Sequence, residues 1–197
     1  MKKMSRECIS VQADAMKIVD SVPIPLLLGQ RAYHSMVVRI SQRYRIKPDW
    51  GYCAAKKMYY FGFKMMAIVE GEQILEYTLV PASSSEQKAL MTLVSRENLT
   101  QLHLFGDKGF QMNNDDKRSL QERNICLEAI PRKNMKSVVI EDLKEKKRLR
   151  KRIETCFSQL VSLFDLTKFL LRTIFGFASA IIRKILAYNM SCWLKMN

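Results

Sequence analysis

The chain has 197 residues, 48% hydrophobic and 26% charged, enough for one domain with a sizeable core. Its 33 Lys and Arg against 19 Asp and Glu leave a formal charge of +14, which points to nucleic acid first and an anionic membrane surface second. Five widely spaced cysteines without a CxxC pair, with only His34 and His103 as imidazoles, argue against a zinc site and for free buried thiols in a reducing cytosol.

Residues 1–14 are polar and read as an irregular segment, and no long apolar core behind the N-terminus marks a secretory signal. Met16–Asp20 reads as a short buried strand. Pro23 and Pro25 then break regular structure, which makes 21–58 loop-rich with basic and aromatic residues. Trp50, Tyr52, Tyr59 and Tyr60 suit base stacking, although core packing is the plainer role for most of them. Met58–Val69 and Gln73–Val80 are β-rich runs joined through Glu70-Gly71-Glu72 as a hairpin. Ser83 with Glu86 makes a capping box for a helix over 85–98, with Leu90, Leu93 and Val94 on one face. Leu102–Asp107 is the next strand, a helix follows over 115–123, and Cys126–Ile130 is a short strand ended by Pro131.

Residues 131–152 form the charge centre, with ten Lys or Arg against three acids. Helical spacing then places Leu149, Ile153, Phe157, Leu160 and Phe164 on one stripe, and a last helix runs over 172–190. The longest uncharged runs there, Thr173–Ile182 and Ile185–Leu194, fall well short of the ~20 residues that a bilayer span needs, so amphipathic helices packing on a sheet are expected and no membrane span.

Three acids have settings that suit a metal ligand. Asp20 closes the apolar run Met16-Lys17-Ile18-Val19, Asp107 closes Leu102-His103-Leu104-Phe105-Gly106, and Glu154 lies on the basic helix. Each has a plainer explanation. An Asp after a strand is commonly a turn or cap residue, and Gly106-Asp107-Lys108-Gly109 suits a tight turn. Glu154 has Arg150 four residues before it, as in an ordinary surface pair, yet it shares a face with Phe157 and Val161. Ligands gather at strand ends in α/β sheets, and two such acids with a third on a late helix can hold two Mg²⁺ ions for phosphoryl transfer on a nucleic acid.

At these residues the chain resembles the catalytic part of bacterial insertion-sequence transposases of the DDE type. The matching stretches are Ile18-Val19-Asp20-Ser21-Val22-Pro23-Ile24-Pro25, Gly51-Tyr52-Cys53-Ala54-Ala55-Lys56-Lys57, Tyr60-Phe61-Gly62-Phe63-Lys64, Gly106-Asp107-Lys108-Gly109-Phe110, Pro131-Arg132-Lys133-Asn134-Met135-Lys136, Ile153-Glu154-Thr155-Cys156-Phe157-Ser158-Gln159-Leu160 and Arg183-Lys184-Ile185-Leu186-Ala187-Tyr188-Asn189. They keep the family's order and cover residues 15–197 as one catalytic domain. The resemblance implies an α/β, RNase H-like (retroviral-integrase-like) fold, a mixed sheet flanked by helices. It further implies Asp20, Asp107 and Glu154 as the acidic triad, two Mg²⁺ ions or Mn²⁺ in their place, and strand cleavage and strand transfer on transposon ends and target DNA. A homodimer on DNA and a bacterial, cytoplasmic, nucleoid-associated location go with it.

Lys64, Lys108 and Arg150 are nearest the triad in sequence context and suit contact with the scissile region. Arg132, Lys133, Lys136, Lys146, Lys147, Arg148 and Lys151 suit phosphate binding, with a solvated helix face as the alternative. Two departures stand out. Asp20 has only 19 residues before it, where the family carries a longer helical region for end recognition, so the chain reads as truncated. Val161 stands where some relatives have a Lys, seven residues after the catalytic Glu. A catalytically inactive DNA-binding remnant is therefore the competing expectation, and a basic membrane-surface protein using the C-terminal helices is the third.

Overall fold

The β-rich runs on either side of Gly71 pair as a hairpin and supply two strands of the main sheet. The computed structural model describes residues 16–28, 47–54, 56–130, 143–168 and 174–196. Its strands are β1 (Lys17–Leu28), β2 (Asp49–Cys53), β3 (Met58–Glu70), β4 (Gln73–Pro81), β5 (Leu102–Gly106) and β6 (Ile125–Ala129). Its helices are α1 (Glu86–Arg96), α2 (Asn114–Glu122), α3 (Leu143–Ser162) and α4 (Ile174–Met196), with a 3-10 turn at Lys108–Phe110. The sheet is mixed, in the order β2-β3-β1-β5-β6, with β4 also pairing with β3. β2 runs antiparallel to β3, whereas β1, β5 and β6 are parallel neighbours. This is the mixed α/β architecture expected from the sequence.

The elements form two compact units, Met1–Asp20 with Met66–Thr78 and Ser85–Phe157, and Ser21–Met65 with Leu79–Ser84 and Ser158–Asn197. The first unit buries Ile18 and Val19 of β1, Leu104 and Phe105 of β5, and Ala89, Leu90, Leu93 and Val94 of α1. Ser85 caps α1, its side chain accepting from the Lys88 amide at 3.3 Å, which satisfies one of the helix's unpaired first-turn donors. Asn113 does the same for α2 through the Asp116 amide at 2.7 Å. The second unit buries Ile24, Tyr60, Phe63 and Met65 among its strands, and Phe177, Ile181, Ile185 and Tyr188 of α4. Phe63 stacks on Phe177 with ring centroids 5.3 Å apart, and Phe164 meets Tyr188 edge-on at 5.7 Å.

Several expectations need correction. β1 does not stop at Asp20 but continues through Pro23 and Pro25 to Leu28. Proline keeps extended backbone angles and sacrifices only its own donor, so a strand survives where that donor is not required. The stretch expected to be loop-rich also contains β2, whose five residues pair with β3. The helix cap is Ser85 rather than Ser83, whose hydroxyl donates instead to Asp49 Oδ2 at 2.5 Å. α3 ends at Ser162, so Phe164 lies beyond the stripe assigned to it, and α4 extends to Met196. Cys156 and Cys192 are buried as expected, but Cys126 is exposed on β6.

Candidate active site

Asp20 and Asp107 owe their placement to the pairing of β1 with β5. The parallel register is Lys17↔Leu104 and Ile18↔Phe105. Carried forward along both strands, the same register brings Asp20 and Asp107 to one level, Asp20 within β1 and Asp107 immediately after β5 ends. Both are half-buried. In a parallel sheet this is the carboxyl end of β5, where side chains can face a ligand without a further strand residue covering them.

Local turn chemistry fixes Asp107. Its Oδ1 accepts the Gly109 amide at 2.7 Å, and its carbonyl accepts the Phe110 amide at 3.1 Å. Phe110 is buried and lies against Gly106, where a Cβ would come within 2.6 Å of its ring. Gln111 continues the scaffold. Its amide nitrogen donates to Ala129 O at 3.2 Å and Ile130 O at 3.1 Å, and its own carbonyl accepts from Gln87 of α1 at 3.2 Å. Glu86 lies over Gly109 as well, with Cγ 3.1 Å from the position a Cβ would take.

Below Asp20 on β1, Lys17 is only 1% exposed and its Nζ lies 3.4 Å from Glu70 Oε1. A buried lysine needs such a partner, because desolvating an ammonium without one is expensive. This pair was missed from sequence. The available signal was a charged residue inside the otherwise apolar run Met16-Lys17-Ile18-Val19.

Glu154 stands apart from the two aspartates' arrangement. It is exposed on α3, and its Oε1 lies 3.4 Å from Arg150 Nη2, the surface pairing that its sequence context also allowed. Among the described residues, no three His, Cys, Asp or Glu side chains are grouped closely enough to hold a metal ion. The structure therefore brings Asp20 and Asp107 level and leaves Glu154 on its arginine. As a donor set the three carboxylates offer only hard oxygen ligands, the type Mg²⁺ takes.

Of the basic residues, Lys108 is exposed directly after Asp107, and Arg148 and Lys151 are exposed on α3. Lys64 is half-buried and donates to Ser84 O at 2.8 Å. Lys146 and Lys147 belong to α3, but their side chains, like the whole of Arg132, Lys133 and Lys136, lie outside the described residues.

A mixed sheet flanked by helices, with one acid within β1 and another just after the end of its parallel neighbour β5, is compatible with the RNase H-like class. The sequence profile of the transposase DDE domain matches residues 17–190, and the chain belongs to that family. No curated protein and no solved structure matches it significantly. Membership makes it a transposase-type enzyme of DNA recombination, of the kind carried by insertion sequences, from a family that binds DNA and generally uses divalent cations. No described helix is long and apolar enough to cross a membrane.

Proposed function

We propose that this chain cleaves and joins DNA strands during insertion-sequence transposition, with Asp20, Asp107 and Glu154 as the acidic triad for two Mg²⁺ ions, or Mn²⁺ in their place. The supporting observation is the β1–β5 register, under which the two aspartates are level. Divalent cations held by these carboxylates would supply Lewis-acid activation of an attacking water or 3′-hydroxyl and stabilisation of the leaving oxygen.

The chain's own part is to position carboxylates and phosphates. Asp107 is preset by its turn, and Asp20 is carried on a strand with buried residues on both sides. Glu154 joins them by giving up Arg150. An exposed pair of this kind contributes about 0.2–1 kcal/mol, so the exchange costs little, and the released guanidinium is then available to a DNA phosphate. Lys108 lies next to Asp107 for the scissile phosphate, and the basic residues of 131–152 follow the flanking backbone. Transposon ends and target DNA can use the same site in turn, with a homodimer holding both.

The remnant alternative is favoured by one observation, the lack of a ready three-carboxylate group among the described residues. Supercoiled plasmid separates the two. The proposal expects Mg²⁺- or Mn²⁺-dependent nicking that Asp20→Asn, Asp107→Asn or Glu154→Gln each abolish, with duplex binding retained. Binding without nicking in either metal would establish the remnant. Parental nicking by Glu154→Gln would remove that residue from the triad and turn attention to Glu141, Asp142 or Glu145.

A further inference from the structure

The β2–β3 hairpin carries an aromatic ladder that the catalytic proposal does not use. In the antiparallel register Trp50 faces Phe61 and Tyr52 faces Tyr59. Residues directly opposite share a face, and so do residues two apart on one strand, so all four rings line one face. The inner pair is packed, with Phe61 buried and its ring 5.6 Å from Trp50, edge-on. The outer pair is not. Tyr52 is 55% and Tyr59 67% exposed, although their rings are only 5.0 Å apart.

The turn beyond them adds positive charge. Lys56 and Lys57 are both exposed. Lys57 has φ +49, a left-handed conformation that glycine or asparagine fills more easily, so a lysine stands there at a conformational cost. The hairpin's acid, Asp49, lies at the opposite end of β2 and accepts from the Trp50 amide at 2.7 Å and the Ser83 hydroxyl at 2.5 Å. The tip thus exposes two tyrosines and two lysines, and the sequence between the tyrosines holds no Asp or Glu.

A cross-strand tyrosine pair steadies a hairpin, but that leaves both residues more than half exposed to water. The partner that covers flat rings and answers adjacent lysines is a polynucleotide with unstacked bases. Paired bases inside a duplex offer no free face. We propose that Tyr52, Tyr59, Lys56 and Lys57 form a platform for unpaired DNA strands. This extends the proposed function and rests on it only for the choice of DNA over RNA.

The test is fluorescence anisotropy with a labelled thymine-rich strand, the matching duplex and an RNA strand of the same sequence, all in chelator. Without divalent cations catalysis plays no part, so the triad assignment can fail without touching the outcome. Replacing both tyrosines with alanine should weaken single-strand binding by about ten-fold or more, the loss expected for one stacked base, while duplex binding stays nearly constant. The double Tyr→Phe variant should bind like the parent. Lys56→Ala with Lys57→Ala should flatten the single-strand salt slope by roughly 1.4 log units, for two phosphate contacts. No loss in the alanine variant, an equal loss on duplex, or tighter binding of the RNA strand would overturn the proposal. Should the alanine variant fail to fold, Tyr59→Trp replaces it. Its emission should change when the single strand is added, and unchanged emission at saturating DNA would also overturn it.

Discussion

At Gly62, β3 lies close against β1, and adding one methyl group there measures how tightly the strands are held. A Cβ on Gly62 would lie 2.4 Å from Ile24 O, 2.8 Å from Leu26 N and 3.2 Å from Pro25 Cα. All three are backbone atoms, so no side-chain rotation relieves the contact. A carbon atom normally stands about 3.3 Å or more from a carbonyl oxygen, so Gly62→Ala has to open the gap by roughly 0.9 Å. Overpacking costs about 1–3 kcal/mol where neighbours can adjust. Here they are strand backbone, so the upper end, about 3 kcal/mol, is expected. For a chain of this size each kcal/mol lowers the melting temperature by about 2–4 °C, which gives a fall of roughly 6–12 °C. Gly71→Ala is the internal comparison. Its φ is +60 but no atom lies within 4 Å of a built Cβ, so it loses only the conformational term, about 1–2 kcal/mol. Thermal melts followed by circular dichroism rank the two. If Gly62→Ala melts at or above Gly71→Ala, the close approach of β1 and β3 is wrong.

Glu70→Gln leaves Lys17 buried without its carboxylate and should cost about 3 kcal/mol, read as a lower urea midpoint; an unchanged midpoint would mean that Lys17 relies on other groups. Gly109→Ala places a Cβ 2.9 Å from Asp107 Oδ1, which should displace the carboxylate and slow nicking by roughly ten- to a hundred-fold while the fold persists. Parental nicking rates in that variant would separate Asp107 geometry from catalysis. Burial, then the charges of Glu97 and Glu76, push the Tyr77 phenol up to about 12. Because the folded value lies above the unfolded one, this group's contribution to stability is intact below pH 10 and is lost as pH rises from 10 to about 12. Tyr77→Phe should remove that part of the alkaline loss, and an identical alkaline profile in denaturant titrations would contradict it.

The hairpin around Gly71 and the strand ending at Asp107 were legible because period and turn residues agree within a few neighbouring residues, and the first helix was legible from the shared face of Leu90, Leu93 and Val94. Ser83 and Ser85 show where that resolution ends. Both are plausible caps in sequence, and the choice falls to Ser85 while the Ser83 hydroxyl goes to Asp49, a residue far away in the chain. The continuation of β1 through two prolines was illegible for the same reason. Whether a strand tolerates a missing donor depends on which neighbour it would have served. The level placement of Asp20 and Asp107 could be guessed from two apolar runs ending in Asp, but it takes the Ile18↔Phe105 pairing to give it a register. Glu154 is the reverse case. Arg150 four residues before it was visible in the sequence, and that local ion pair is what the structure contains.

The turn that holds Asp107 is encoded almost entirely by consecutive residues: glycine, aspartate, lysine, glycine, phenylalanine. Its geometry thus has a different hereditary lifetime from the rest of the site. In a mobile element that has stopped moving, substitutions accumulate without regard to position, and an arrangement that depends on distant segments presents many more targets than one that depends on five adjacent codons. Such a turn would outlast the machinery around it. Among diverging copies, an intact Gly-Asp-Lys-Gly-Phe is therefore a fossil marker of descent.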